Sequence, residues 1–342
     1  MTDQQVFEQA EKLFQKGLNA PCIEQYLKIA DKPGLGAIAH FRMGQVYNRM
    51  EHYEQSRQHH YSAFEKDPAL FSKILPQNLP HRNYVHTKLE LVDQINCPIC
   101  GTEAIAKRCY NVGVSYDFTP GFDPVRVWMH CENCEHLFAH NRPKNLEEVL
   151  KGTKMNSTLT PDPKAFAAEC KILKKIMGFA KGDSILEVGS GVGEFAGVAL
   201  EMLYQVDCIE IRSYYAKILE QKLKIQVSRC DFLNFKSKKT YNVLVMGDVI
   251  EHFSDPLKAL QKAYELLDEE GILWLSTPNF KSAHTRLLDQ ADPMWSVCEH
   301  LQYFSYESLQ KSLGIIGFEV LDYEVSSKYN GSMEICARKI PV

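Results

Sequence analysis

Ser184-Ile185-Leu186-Glu187-Val188-Gly189-Ser190-Gly191-Val192-Gly193-Glu194-Phe195 is the stretch that decides the fold. Ile185, Leu186 and Val188 form a short apolar run that ends abruptly in glycines, the pattern of a buried parallel strand entering a tight turn. Gly189, Gly191 and Gly193 alternate, so the backbone can pass close to a ligand with no Cβ in the way. Glu194 to Tyr204 reads as a helix whose unpaired N–H groups point back at the turn. Strand, glycine turn and helix make a nucleotide-binding corner. The spacing Glu187-x-Gly189-x-Gly191-x-Gly193 differs from the G-x-G-x-x-G of the dinucleotide fingerprint.

The flanking chain continues the same alternation. Phe166 to Phe179 is an amphipathic helix, and Lys181-Gly182-Asp183 leads into the first strand. Val206 to Glu210 is a second strand, ending in an acid twenty-one residues after Gly189. A carboxylate at that strand end can grip both hydroxyls of a ribose. Tyr214 to Lys222 is a helix, Ile225 to Ser228 a third strand, and Asp231-Phe232 follows it. Tyr241 to Met246 is a fourth strand, leading into Gly247-Asp248-Val249-Ile250-Glu251-His252. A helix from Leu257 to Leu267 precedes a fifth strand, Gly271 to Ser276. Leu309 to Leu313 supplies the last helix, and Phe318 to Val325 with Ser332 to Ala337 the last strands. Such alternation predicts a parallel sheet covered on both faces. The closing pair is near enough to be a hairpin, which makes the last strand antiparallel.

The glycine turn, Glu210, Asp231, Gly247-Asp248 and the final hairpin resemble, in order and spacing, the class I S-adenosylmethionine-dependent methyltransferases. Asp248-Val249-Ile250-Glu251-His252, Thr277-Pro278-Asn279 and His300-Leu301-Gln302-Tyr303-Phe304-Ser305 look like the branch that includes the ubiquinone-biosynthesis O-methyltransferases. The resemblance covers residues 166–342 and implies an α/β fold: a doubly wound, seven-stranded, Rossmann-like sheet binding S-adenosyl-L-methionine. It implies that Gly189, Ser190, Gly191 and Gly193 pass the methionine end and that Glu187 balances its ammonium. Glu210, with Ile211 beside it, would take the ribose. Asp231 would accept from the adenine amine while Phe232 flanks the ring, and Gly247 and Asp248 would close the pocket. Methyl transfer is an in-line displacement that needs alignment and, for a protonated nucleophile, a base. His252 is the first candidate base, and His300 and Tyr303 are candidates to line the acceptor pocket. Plainer roles compete with these: a loop-bracing histidine, surface acids at Glu210 and Asp231, and packed thiols at Cys208, Cys230, Cys298 and Cys336.

Residues 96–141 carry Cys97-Pro98-Ile99-Cys100-Gly101 and Cys131-Glu132-Asn133-Cys134, two C-x2-C pairs with thirty residues between them. Four soft thiolates on two knuckles suit a tetrahedral structural Zn²⁺ with no open position. Cys97, Cys100, Cys131 and Cys134 are the expected ligands; His130, His136, His140 and Cys109 are not. Val112, Val114 and Tyr116, then Val125, Val127 and Trp128, read as the strands of a zinc ribbon. A zinc module ahead of such a core also resembles bacterial sugar C-methyltransferases, although the tyrosine-glutamate-histidine-histidine cluster of those enzymes is not recognisable here. Residues 142–165 hold a short helix, Leu146 to Leu150, and a Ser/Thr/Pro-rich linker. By analogy this segment covers the active site.

Residues 1–95 repeat at a period of 34. Met43-Gly44, Tyr47, Ser56, His60, Ala63 and Pro68 resemble a tetratricopeptide repeat, and Ala10, Leu13, Cys22, Tyr26, Ile29-Ala30 and Pro33 give a weaker copy. Phe71 to Ile95 would add a capping helix, interrupted by Pro76 and Pro80. Two copies are fewer than a solenoid needs, so this region should lean on the rest of the chain. It reads as a docking surface for a protein or peptide, as a dimer contact, or as a helical appendage that only packs. His52, His59, His60, His81 and His86 read as solvated.

The 342 residues are 45% hydrophobic and 24% charged, with net charge −4, ordinary for a globular chain and without a global pull toward nucleic acid. No apolar run approaches a membrane span, and the polar Met1-Thr2-Asp3 start is unlike a signal peptide. Eleven cysteines then read as reduced thiols of a cytoplasmic protein. The expected function is methyl transfer to an O, N or C nucleophile of a small-molecule or peptide acceptor. Two alternatives stay open: a non-catalytic scaffold that keeps the cofactor site, and an RNA methyltransferase. The second is disfavoured because Lys107, Arg108 and Arg126 are offset by Glu103, Asp117 and Asp123.

Overall fold

A computed structural model describes residues 1–115, 117–152 and 161–341. Tyr116 and most of the predicted Ser/Thr/Pro-rich linker, 153–160, lie outside the described residues.

The chain begins with α1 (Asp3–Gln15), α2 (Asn19–Ile29), α3 (Gly36–Arg49) and α4 (Tyr53–Lys66). Thr2 and Gln5 cap α1 reciprocally, each side chain accepting from the other's backbone N–H at 3.2 and 2.9 Å. The helices α3 and α4 cross at Gly44, where an added Cβ would stand 2.6 Å from the His60 ring. Gly44→Ala should therefore lower stability by about 1–3 kcal/mol, read as a drop in the thermal midpoint. His60 and His81 are buried, which corrects the expectation of solvated histidines. His60 fills the space that Gly44 leaves, and the His81 ring Nε2 lies 2.9 Å from the Gly113 carbonyl. The capping helix shrinks to one turn, α5 (Phe71–Ile74), because Pro76 and Pro80 withhold the donors a longer helix needs. Phe41, Phe64 and Phe71 share an apolar cluster with Cys109, Val125 and Trp128, so the helices do pack against the following segment.

Next come β1 (Leu91–Asp93), β2 (Ile105–Asn111), β3 (Val125–Cys131), β4 (His136–Ala139), β5 (Asn141–Pro143) and α6 (Leu146–Gly152). The strands β2 and β3 form an antiparallel pair, continued by β4. Val112–Val114 is a 3-10 turn and not a strand. The Asn111 side chain accepts from Gly113 N–H at 3.1 Å, a local bond that outweighs the β propensity of the two valines.

The remainder is α7 (Pro163–Met177), β6 (Ser184–Val188), α8 (Glu194–Glu201), β7 (Gln205–Ile209), α9 (Ser213–Leu223), β8 (Val227–Ser228), β9 (Tyr241–Gly247), α10 (Pro256–Leu266), β10 (Leu267–Pro278), α11 (Ala283–Leu288), β11 (Gln302–Tyr303), α12 (Tyr306–Ile316), β12 (Phe318–Val325) and β13 (Ser332–Lys339). Seven strands make one sheet in the order β12-β13-β10-β9-β6-β7-β8. The pairs from β10 through β9, β6 and β7 to β8 are parallel, and β13 is antiparallel to both its neighbours, as the hairpin reading anticipated. Alternation within strands splits the core. Leu186, Val188, Leu244 and Met246 pack with α10 and α12; Ile185, Val243 and Val245 pack with α7 and α8. No helix among the described residues is long and apolar enough to cross a membrane.

One connection was not foreseen. The chain after β10 leaves the large sheet, and β11 pairs with β4, giving a four-stranded sheet ordered β11-β4-β3-β2. Arg126 of β3, fully buried, donates to the carbonyls of Cys298 (2.9 Å) and His300 (3.2 Å). The cysteine-bearing sheet thereby holds the loop that carries His300.

Candidate functional site

The glycine turn has left-handed φ values of 72°, 51° and 87° at Gly189, Gly191 and Gly193. A Cβ on Gly189 would sit 2.6 Å from Val249, and one on Gly193 would strike Leu219. Gly193 therefore serves the packing of α8 on α9. Gly191 has open space where its Cβ would point, at the lip of a cavity of about 170 Å³. Glu210 lies one residue past β7 and is buried. Its Oε2 accepts from Gly191 N–H at 2.9 Å and its Oε1 from Arg212 N–H at 2.8 Å. Burial raises its pKa, while these two N–H groups and the Arg212 charge oppose the rise. Asp231 accepts from Leu233 N–H at 2.7 Å and, with Phe232 and Ile211, lines the same cavity. Leu146 and Leu150 of α6 also line it. Sequence reading placed that helix in a cover segment by analogy alone and did not choose these side chains.

At Gly189, Gly191 and Asp248 the lining passes to a second, larger cavity. Glu187, Ser190 and Gly247 face it. Burial pushes Glu187 up to about 8, with Glu169 adding repulsion. Burial pushes Asp248 up to about 6, against the pull of Lys328. Asp248 adopts φ 52°, and its N–H and carboxylate both bond Ser276, its N–H to the carbonyl and the hydroxyl at 3.1 Å. Lys328, which no sequence signal marked, reaches in from the β12–β13 connection and pairs with Glu169 at 2.7 Å.

Glu251, His252 and His300 meet on this cavity, with a carboxylate oxygen and one ring nitrogen from each histidine within 4.8 Å of one another. His252 and His300 pack edge to face at 4.8 Å between centroids. His252 Nδ1 lies 3.1 Å from the Glu299 carbonyl, which can only accept, so Nδ1 carries the hydrogen. Tyr303 donates to the Met294 carbonyl and so accepts from His300 Nδ1 at 3.0 Å, which leaves His300 Nε2 with its lone pair. Burial lowers both histidines and raises Glu251 well above the ordinary range, where Asp248 adds repulsion. Tyr303 is completely buried behind His300 and does not line the cavity, which corrects its reading as a pocket wall. Glu251, His252 and His300, with Tyr303 behind His300, therefore stand together. Glu299 was also missed. It accepts from Thr119 (2.6 Å) and pairs with Arg212 (2.6 Å), tying the cysteine-bearing segment to the loop after Glu210.

The second centre is Cys97, Cys100, Cys131 and Cys134. Sulfur separations are 3.4 Å (Cys97–Cys134), 3.5 Å (Cys100–Cys131) and 3.6 Å (Cys131–Cys134). Zinc–sulfur bonds of about 2.3 Å place tetrahedral ligands roughly 3.8 Å apart. The four sulfurs therefore fit a metal, and they are too far apart for disulfides. Gly101, at φ 73°, closes the first knuckle by donating to the Cys97 carbonyl at 2.9 Å. His130, His136, His140 and Cys109 stand outside the cluster.

Residues 162–323 match the family model described as a methyltransferase domain. No curated protein matches the chain. Solved structures similar to it include an S-adenosylmethionine-dependent methyltransferase from Clostridium acetobutylicum ATCC 824, at 10% identity and TM-score 0.42, covering 53% of this chain and 93% of that one. A magnesium protoporphyrin IX methyltransferase from Synechocystis PCC 6803 with bound SAH is similar at 16% identity and TM-score 0.41, covering 52% and 82%. A 1,6-didemethyltoxoflavin-N1-methyltransferase from Burkholderia thailandensis is similar at 15% identity and TM-score 0.42, covering 53% and 80%.

Proposed function

We propose that residues 162–323, which match the methyltransferase-domain model, work as a class I S-adenosylmethionine-dependent methyltransferase, and that the chain moves a methyl group to an O, N or C nucleophile of a small-molecule or peptide acceptor held in the larger cavity. The observation that carries this reading is the single cavity joining Gly189, Gly191, Glu210, Asp231 and Phe232, which opens past Asp248 onto the second. Bound there, the cofactor would supply a methyl group already activated on a sulfonium. Glu210 holds the ribose, Asp231 and Phe232 the adenine, and Gly189 to Gly191 the amino-acid tail, with Glu187 facing its ammonium. His252 and His300 stay neutral because burial lowers them, so either can take a proton from the acceptor. Tyr303 positions His300.

Zinc on the four cysteines would be structural, since four thiolates leave no position open. Through β4 and β11 that module braces the acceptor side of the site. The N-terminal helices, read as a tetratricopeptide-like pair, serve docking of a protein or peptide partner or of a second copy of the chain. Four cysteines gathered as thiolates for zinc suit a reducing, cytoplasmic setting.

Incubating purified protein with cell extract and methyl-labelled cofactor, then sorting the product into small molecule, protein and RNA, tests the reading. Label in the first two fractions supports it. Cofactor binding with no label anywhere would leave a cofactor-binding scaffold. Once an acceptor is in hand, His252→Gln should cut kcat by about 10²–10⁴-fold with cofactor affinity unchanged, the range for losing a general base.

A further inference from the structure

Within the larger cavity, a carboxyl oxygen of Glu251 and a ring nitrogen from each of His252 and His300 face one another, and no hydrogen bond joins Glu251 to His300. Glu251 is fully buried. Its Oε2 takes the Thr277 hydroxyl at 3.0 Å, but its Oε1 has no hydrogen-bond partner. That oxygen lies 3.9 Å from His300 Nε2, the nitrogen left with a lone pair by the Tyr303 bond. A ring nitrogen of His252 completes the group. Leaving a buried polar atom unmet costs about 1–3 kcal/mol. Burial and Asp248 push Glu251 toward its neutral form, and a cation beside Oε1 would restore the carboxylate, so the arrangement calls for a positively charged ligand that brings N–H donors.

The surrounding charge selects among such ligands. The two strong cations on the cavity wall each face a carboxylate of their own: Lys328 faces Glu169 and Arg212 faces Glu299. Asp248 and Asp292 add further negative charge. A phosphate or carboxylate would meet repulsion here; a cation would not. Spacing bears on whether that cation is organic or a metal. Metal bonds of about 2.0–2.1 Å hold neighbouring ligands roughly 3.0–3.4 Å apart. An ammonium donating three bonds of about 2.9 Å holds its acceptors roughly 4.7 Å apart. The 3.9 Å between Glu251 Oε1 and His300 Nε2 is wider than a metal's ligand spacing and narrower than the full spread around an ammonium. An organic cation therefore fits once the pair opens slightly, and Mn²⁺ is the competitor to test against it.

We propose that the methyl acceptor carries an amine, which enters this cavity as an ammonium and places its N–H groups between Glu251 Oε1, His300 Nε2 and His252. This rests on the methyl-donor reading above.

The test is calorimetry on protein saturated with S-adenosylhomocysteine, in EDTA, titrated with benzylamine and 1,5-diaminopentane and, for contrast, with benzoate and uridine diphosphate. At least one amine should bind saturably and neither anion should. Glu251→Gln should weaken the amine by roughly 30-fold or more, the loss expected when one side of a buried charge-assisted contact goes, and His300→Ala should weaken it in the same direction. Affinity for S-adenosylhomocysteine, unchanged in both variants, reports that the fold and donor pocket are intact. The proposal is overturned by absence of amine binding, by anions binding as well as amines, or by amine affinity indifferent to both substitutions. It is also overturned if Mn²⁺, added without EDTA, binds tightly in a Glu251-dependent way and expels the amine. Failure of the wild-type protein to bind S-adenosylhomocysteine would instead remove the donor reading.

Discussion

Glu210→Ala is expected to raise the dissociation constant for S-adenosylhomocysteine by roughly 100-fold or more. The carboxylate does two jobs. It already accepts from Gly191 and Arg212 N–H, so it sets the shape of the glycine turn and of the loop after β7. In the reading argued above it also accepts from both ribose hydroxyls. A hydrogen bond to a charged group contributes about 1.5–3 kcal/mol, so losing two removes roughly 3–6 kcal/mol. The orphaned backbone N–H groups add to the loss. Glu210→Gln keeps the shape and one acceptor oxygen, so it should fall between the wild type and Glu210→Ala. Calorimetry gives the affinities and circular dichroism checks the fold. An affinity for Glu210→Ala within about threefold of wild type, against the loss estimated from those bonds, would take the ribose away from this residue.

That such a test can be designed from Glu210 reflects what is local in this fold. The buried parallel strands are apolar runs closed by glycine or acid, so β6, β7, β9 and β10 and the acids after them could be read directly. Asp231 and Asp248 were legible for the same reason: position after a strand end places a side chain at the carboxyl edge. Glu251 was not. Its neighbour His252 was chosen, but the significance of Glu251 depends on His300, forty-nine residues later, and on β11 pairing with β4 across two segments. No periodicity reports such a pairing. Tyr303 was misjudged because a residue on a two-residue strand can face either way, and here it faces Met294 and Trp128. Leu146 and Leu150 were read as helix correctly. That the helix lies against the donor cavity is a tertiary fact. His60 is the sharper lesson: Gly44 and His60 were both matched to the repeat pattern, yet the ring that fills the space beside Gly44 was read as solvated.

Cys131→Ser should release the metal and loosen the acceptor side of the protein before the donor side. Purified wild-type protein should hold about one zinc per chain, the count of a single tetrahedral site. Structural zinc contributes about 10–16 kcal/mol of apparent binding energy in small peptides. Here Cys97, Cys131 and Cys134 also pack into the core shared with Leu244 and Leu309, so part of the module's order survives metal loss. If about 4 kcal/mol is lost, the thermal midpoint of a chain this size falls by roughly 6 °C. The loss should also travel along a defined path. The knuckle at Cys131 ends β3, whose Arg126 holds the Cys298 and His300 carbonyls and whose Trp128 indole donates to Trp295 O at 3.1 Å. Near-ultraviolet circular dichroism from Trp128 and Trp295 should therefore weaken in the variant and in wild type stripped by chelator. Affinity for S-adenosylhomocysteine should change far less, because Glu210, Asp231 and the glycine turn are held by the large sheet. A metal-free wild-type sample with the same midpoint and the same tryptophan signal would show that the four thiols need no ion. An equal collapse of donor affinity would show that the two sheets are one cooperative unit, with no separable brace.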